Sequence, residues 1–382
     1  MISKVYKRIM ELLTKPSFVF ESQPAFSDNT KAVYDEMIRR KLDKKYRLVW
    51  FLSWNQWAEI KNGKVLYFNP RDRKTIAQKL CNYSIYYHTK GIICCNTFIP
   101  SVGDKRITFS EDQKSFYLSH GTPMKSTREY YTSPGGIDYG IAASEELRPV
   151  MAREFSIDQE KYFATGFPRN DVFSQKKVDL KQVFERSFKK VIIWYPTYRQ
   201  LKSGLKLKGN ALPIIHNEEH ARQLNETAEK KQVLIVIKPH FSQILDYMSK
   251  VDLSNIVLIN DEFFGQKGIT SYEMLASSDA LITDYSSVYF DYTLRDKPIA
   301  VVWEDIEEYQ KFPGFALDLK DYLKGAEKIY TIDELCSFVQ EIADGVDLLQ
   351  NERREIRDRV NFSTDGKSAQ RAVDFILEKT GL

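Results

Sequence analysis

Long apolar runs are the first thing this chain lacks. Its most apolar stretches, at residues 233–237 and 91–95, are about five residues long, against the roughly 18 needed to span a bilayer. The first 20 residues are interrupted by Lys4, Lys7, Arg8 and Lys15, which leaves no apolar core of signal-peptide length. A soluble or peripheral protein that is not exported by this route is therefore expected. Cysteine is scarce too: of four, Cys94 and Cys95 are adjacent and Cys81 and Cys336 isolated. That is neither a paired disulfide framework nor zinc-ligand spacing, and it fits a reducing compartment. Charge of one sign is missing, since 56 basic residues face 52 acidic ones for a net charge of +4, so nothing argues for nucleic acid as a partner. The chain has no Gly-x-Gly-x-x-Gly after a strand, no His-Glu-x-x-His and no Asp-x-Asp pair to hold a divalent metal on a diphosphate. Gly366-Lys367-Ser368 imitates the end of a P-loop, but Asn361 stands where that motif needs its first glycine. There is no repeat at a fixed period and no low-complexity tract.

What is present is an α/β alternation, repeated. With 382 residues, 43% apolar and 28% charged, the chain can bury two ordinary cores. Short β-branched or aromatic runs at 17–20, 46–52, 84–87, 115–118 and 139–142 are separated by amphipathic stretches such as 30–40 and 145–155. A lysine-rich interval at 174–190 reads as a linker, and the alternation then restarts. Its runs at 191–195, 233–237, 256–259, 280–283 and 299–303 are nearly continuous in apolar residues, as strands covered on both faces should be. Two doubly wound halves follow, residues 1–175 and 176–382, with terminal helices near 332–342 and 367–379 packing outside or crossing back.

In open α/β sheets ligands gather at the carboxyl ends of strands, where helix N-termini present free N–H groups. Three such junctions stand out. The strand Phe116-Tyr117-Leu118-Ser119 delivers His120-Gly121-Thr122-Pro123-Met124-Lys125. A histidine there, followed by a glycine that admits a ligand to the backbone and a proline that fixes the turn, suits a general base; a histidine satisfied by loop backbone fits the local pattern equally. The strand at 233–237 ends in Lys238-Pro239-His240, whose two cations suit phosphate oxygens or form a merely solvated strand end. The strand at 280–283 leads through Asp284-Tyr285-Ser286-Ser287 into a helical run at 288–294. Two hydroxyls and the first helical N–H groups suit a diphosphate, while Asp284 or Ser286 equally suits a plain N-cap. Arg169, in the stretch from Thr165 to Asp171, and Arg199, closing Tyr195-Pro196-Thr197-Tyr198-Arg199, lie on each side of the expected cleft; isolated arginines are more often surface residues. Thr270-Ser271-Tyr272-Glu273 has the form of a capping box.

In this order and spacing, the 120–125 motif, Thr165 to Asp171, Tyr195 to Arg199, Lys238-Pro239-His240 and the run from Ile282 to Asp291 resemble the CDP-glycerol glycerophosphotransferase family of teichoic acid and capsule synthesis. The likeness begins near Phe18 to Ser22 and Ser27-Asp28-Asn29 and runs to Ser363-Thr364-Asp365-Gly366. It implies a GT-B-like architecture of two Rossmann-like domains with the active site in the cleft between them. The first would be an acceptor domain carrying the base, the second would bind the CDP-polyol, and no metal or other cofactor is required. By motif, His120 matches the family's catalytic base, and His240, Ser286 and Ser287 match its donor diphosphate contacts. Lys238, Arg169, Arg199, Thr197, Asp284 and Asp291 lie in matching motifs as possible substrate contacts. Met124 replaces the family's usual leucine, a volume-conserving change. Phe312-Pro313-Gly314 departs where a basic residue more often precedes the glycine, in a loop the resemblance would set near the acceptor or the polyol, which leaves the identity of the polyol open.

The chemistry implied is attack of an acceptor hydroxyl on the donor's polyol-bearing phosphorus, with neutral His120 taking the proton and CMP leaving. The donor is CDP-glycerol or CDP-ribitol, and the acceptor is carried on a polyprenyl diphosphate. The enzyme would therefore work at the cytoplasmic membrane surface. The basic start of the chain, with Lys4, Lys7 and Arg8 beside Ile2, Ile9, Leu12 and Leu13, suits either an anionic lipid surface or packing on the first half. Two other readings share these residues: a GT-B glycosyltransferase that uses a nucleotide sugar, and a non-catalytic binding member of a synthase complex. Retention of His120 and both serines argues against the latter. The missing carboxylate pair predicts that turnover persists in excess EDTA. Loss on chelation, restored by magnesium or manganese, would overturn the metal-free mechanism.

Overall fold

The computed structural model describes residues 14–52, 66–68, 75–95, 101–102, 105–106, 113–126, 137–175, 177–197, 212–239, 245 and 248–382. The basic start of the chain with Lys4, Lys7 and Arg8, together with Arg199 and His240, lies outside the described residues. The chain forms two compact units, Met1–Thr122 with Arg128–Asp171 and Asp365–Leu382, and Pro123–Thr127 with Val172–Thr364.

In the first unit the order is β1 (Ser17–Glu21), α1 (Asp28–Arg39), β2 (Arg47–Phe51), β3 (Leu66–Phe68), α2 (Ile76–Tyr87) and β4 (Thr89–Cys94). A small antiparallel pair, β5 (Ser101–Val102) and β6 (Lys105–Arg106), then precedes β7 (Lys114–Tyr117), β8 (Tyr139–Ala142), α3 (Arg148–Phe155) and β9 (Tyr162–Ala164). The main sheet runs β3-β2-β1-β4-β7-β8-β9, and its paired strands are parallel. All five residues of β1 are buried, as a strand covered on both faces requires. The chain steps from β1 outward through β2 and β3 and returns to β4 on the other side of β1. The topological switch therefore opens at the carboxyl ends of β1 and β4, the usual place for a ligand in such a sheet.

One expected strand is a helix. Residues 84–87, Ser-Ile-Tyr-Tyr, have strand-like composition, yet they form the last turn of α2. Ile85 packs with Val19, Val49 and Ile92, so burial against the sheet overrides local β preference. The strand is the next segment, 89–94.

The second unit contains α4 (Leu180–Phe184), β10 (Lys190–Trp194), α5 (Glu218–Lys231), β11 (Val233–Ile237), β12 (Ile256–Leu258), α6 (Asp261–Lys267), α7 (Ser271–Ser277), β13 (Ala280–Thr283), α8 (Val288–Tyr292), β14 (Ile299–Val302), α9 (Ile306–Lys311), α10 (Leu319–Tyr322), β15 (Glu327–Ile329), α11 (Ile332–Asp344) and α12 (Gln350–Val360). Its six-stranded sheet runs β12-β11-β10-β13-β14-β15, again parallel. The inner strands β11, β13 and β14 are wholly buried, while β12 and β15 at the edges are partly exposed. The switch point here lies between β10 and β13. The interval expected as a linker belongs instead to this unit: Leu180 is buried, and Phe184 stacks on Phe263 at 5.3 Å. The capping box of α7 forms as expected between Thr270 and Glu273.

The last helix, α13 (Ser368–Lys379), belongs to the first unit, so a single division at 175/176 does not describe the chain. Asp171 explains why. Its Oδ1 and Oδ2 accept from the N–H groups of Ser368 and Ala369, each at 2.8 Å, which caps a helix whose own N-cap residue, Lys367, provides no side-chain bond. Gly166 permits this approach, because a Cβ there would lie 2.5 Å from Ser368 Oγ. Burial raises the Asp171 carboxyl pKa, and the Ala369 and Ser368 N–H groups and Arg371 oppose the rise. Phe375 of α13 meets the rings of Phe116, Tyr139 and Phe163 at 5.8, 5.7 and 4.3 Å. The N–H groups that imitate a P-loop are thus used inside the fold.

A carboxylate pair gives this fold a pH signature. Burial first, and then the charge and hydrogen bond of Glu341 on α11, push Glu327 of β15 up to about 7, with Asp347 adding to the rise and Arg353 opposing it. A carboxyl raised above its unfolded value contributes stability below the unfolded pKa and loses it as pH climbs through the folded one. The loss therefore spans about pH 4.5 to 7. Glu327→Gln should raise the melting temperature more at pH 8 than at pH 5 when unfolding is followed by circular dichroism. An equal shift at both pH values would remove Glu327 as the titrating group.

Candidate active site

His120 stands three residues beyond the end of β7, and its side chain is exposed. The backbone beneath it is not free to move. Leu118 N–H donates to Cys94 O of β4 at 2.7 Å. Ser119 is fully buried with φ at +56°, a left-handed conformation that a non-glycine residue holds only when its surroundings impose it. Its hydroxyl donates to Gly121 O at 2.9 Å. Gly121 itself has φ at +127°, a region in which a side chain would be strained.

The group that holds this turn is Asn29, at the start of α1. Its side chain is fully buried. Its Nδ2 donates to Leu118 O at 3.2 Å and to Ser119 O at 2.8 Å, and its Oδ1 accepts from Arg169 N–H at 3.1 Å. Asp28 accepts from the Asn29 N–H and from Arg169 Nη1, both at 2.7 Å. Arg169 is thus not the surface arginine that base rates favour. It is buried to 8% exposure in an ion pair with Asp28. The sequence signal for Asn29 was available in Ser27-Asp28-Asn29 in the turn that follows a strand, but no local pattern says that an amide at a helix start reaches a strand exit 89 residues away.

At the other switch point, Asp284 follows β13 with no solvent exposure. Its Oδ2 accepts from the Thr197 N–H at 2.7 Å, and its Oδ1 from the Thr197 hydroxyl. Thr283 Oγ1 adds a bond to Tyr195 O at 2.9 Å. Asp284 and Thr197, both possible substrate contacts on sequence grounds, are therefore partners of each other and join the exits of β13 and β10. Asp291 also turns inward. It is 2% exposed and accepts from Tyr272 Oη at 2.6 Å, binding α8 to α7.

Ser286 and Ser287 are half-buried at the start of α8. Ser287 occupies the N-cap position without a side-chain capping bond, and Ser286 Oγ lies 3.5 Å from Val288 N, too long to be a strong bond. The Ser287 hydroxyl thus makes no capping bond, and the Ser286 hydroxyl makes only this long one. Lys238, just past β11, is half-buried and pairs with Asp261 at 2.9 Å. The Phe312-Pro313-Gly314 loop is paired with the segment that follows His120: Ser126 N–H donates to Gly314 O, and Ala316 N–H to Met124 O, each at 2.9 Å. Behind it Tyr285 contacts Tyr309 and Phe315 at 4.3 and 5.3 Å and donates to Asp305 at 3.0 Å. Among the described residues no cluster of three or more His, Cys, Asp or Glu side chains could hold a metal ion.

A teichoic acid poly(ribitol-phosphate) polymerase of Bacillus spizizenii is 25% identical over 94% of this chain and 55% of its own length. A teichoic acid glycerol-phosphate primase of Bacillus subtilis is 24% identical over 67% of this chain and 60% of its own. The chain thus spans little more than half the length of these relatives. Among solved structures, the wall teichoic acid polymerase TagF matches with a TM-score of 0.71 at 22% identity, covering 99% of this chain and 94% of that one. A second structure of it, soaked with CDPG, gives a TM-score of 0.68. The two parallel sheets with their helices accordingly form a GT-B-like α/β fold. The model of the CDP-glycerol:poly(glycerophosphate) glycerophosphotransferase family matches residues 4–378, and with nearly the whole chain matched the protein belongs to that family of teichoic acid polyol-phosphate transferases.

Proposed function

We propose that this chain transfers glycerol phosphate or ribitol phosphate from a CDP-polyol to a hydroxyl of a polyprenyl-diphosphate-linked teichoic acid or capsule acceptor, releasing CMP. The observation that carries this reading is the condition of His120, an exposed imidazole on a turn whose backbone is immobilised from below. A base so mounted meets a substrate proton without first paying for its own ordering. Membership of the family supports the CDP-polyol class of donor. Its curated relatives act on both polyols, so glycerol and ribitol are alternatives that a donor assay decides.

In the mechanism proposed, neutral His120 takes the proton of the acceptor hydroxyl as that oxygen bonds to the polyol-bearing phosphorus. The bond from that phosphorus to the bridging oxygen breaks, and CMP leaves with the electron pair. Ser286, Ser287 and the N–H groups that open α8 receive the growing negative charge, with His240 and Lys238 as cations beside the leaving group. A lipid-linked acceptor calls for a working position on the anionic inner face of the cell membrane, with the protein peripheral to it. Among the described residues no helix is long and apolar enough to cross a membrane.

Incubation with CDP-glycerol, CDP-ribitol and a panel of nucleotide sugars, with a synthetic lipid-linked acceptor and mass analysis of the products, tests this directly. Polyol-phosphate addition with CMP release is expected, and sugar transfer would replace the reading with a glycosyltransferase. His120→Ala should lower kcat by about 10²- to 10⁴-fold with donor affinity unchanged. The Ser286→Ala/Ser287→Ala double variant should weaken calorimetric donor binding together with turnover. Loss of donor binding in His120→Ala alone would reverse the assigned roles.

A further inference from the structure

We infer that Asn29 is the positioning residue of the base: its side-chain amide sets the left-handed turn that presents His120. The inference rests on the reading of His120 as the proton acceptor. An asparagine amide offers two donor hydrogens and one carbonyl oxygen. Here both of the carbonyls just before His120 take the donors, and the oxygen takes the Arg169 N–H. The side chain is fully buried, so no water replaces a bond that is lost, and an unpaired buried carbonyl is costly.

The bonds act where the chain most needs them. Leu118 makes the last bond to β4 at this exit, and Ser119 beyond it holds φ at +56°. Relaxation of that residue toward the β region would swing the peptide that carries His120. Asp28 fixes Asn29 in turn through the Asn29 N–H, and it binds the Arg169 guanidinium on the other side. The amide is therefore held from behind while it holds the turn in front. A carboxylate in its place would keep the shape and lose both donors, setting negative charge against two carbonyl oxygens.

Asn29→Asp is the near-isosteric test, with Asn29→Ser as a smaller second variant should the carboxylate prevent folding. Each is measured beside wild type, His120→Ala and the corresponding double variant. The readouts are melting temperature, calorimetric affinity for CDP-glycerol and CDP-ribitol, and kcat for CMP release with the lipid-linked acceptor. The expected result is a fall in kcat of about 10- to 100-fold, as a misplaced group of about 1 Å produces, with donor affinity retained and the double variant no slower than His120→Ala alone. Multiplicative losses in the double variant, or an unchanged kcat in a folded Asn29 variant, overturn the positioning role while the base reading stands. Full activity in His120→Ala, or no CMP release by wild type from either donor, overturns the base reading and the positioning role with it.

Discussion

Parallel pairing is the constraint on which both units depend. A parallel strand must be reached by a crossover, and the crossovers cover both faces of the sheet with helices. Strands such as β1, β11, β13 and β14 therefore carry no solvated face. Irregular backbone is confined to the strand ends, and at the carboxyl ends the helices that follow add their unpaired N–H groups. In each unit the winding reverses beside one strand, β1 in the first and β10 in the second. The chemistry-bearing residues are grouped around those reversals because only there do adjacent loops part.

Parting loops must still be held, and buried polar side chains hold them. Asn29 grips the exit of β7, and Asp284 joins the exits of β13 and β10. Taking such groups out of water is unfavourable unless their bonds are made, and hydrogen bonds to a charged group contribute about 1.5–3 kcal/mol each. The same low dielectric that makes an unpaired carboxylate costly makes a paired one a firm tie. Asp171 serves in the same way at the start of α13. Three residues near motifs that suggest ligand chemistry thus use their polar atoms on the protein itself.

The placement of the core was legible. Continuous apolar runs located β10, β11, β13 and β14 to within a residue or so, since a strand covered on both faces has no alternative composition. Elements whose character comes from their neighbours were not. Residues 84–87 look like a strand and are helical, because Ile85 packs onto the sheet. Helix α12 offered almost no apolar period: it buries Arg353, Ile356 and Val360, and the buried guanidinium is tolerated because Asp347 and Asp296 pair with it.

The order and spacing of motifs determined the family, the two-sheet plan and the identity of His120, Ser286 and Ser287 as candidates, because each motif sits at a strand exit that periodicity alone can find. Tertiary structure decided which polar residues face inward. Arg169, Asp284 and Asp291 read as substrate contacts in sequence, yet they are paired with Asp28, Thr197 and Tyr272. Those partners lie 141, 87 and 19 residues away, and a hydrogen bond across such a separation exists only once the sheets have assembled.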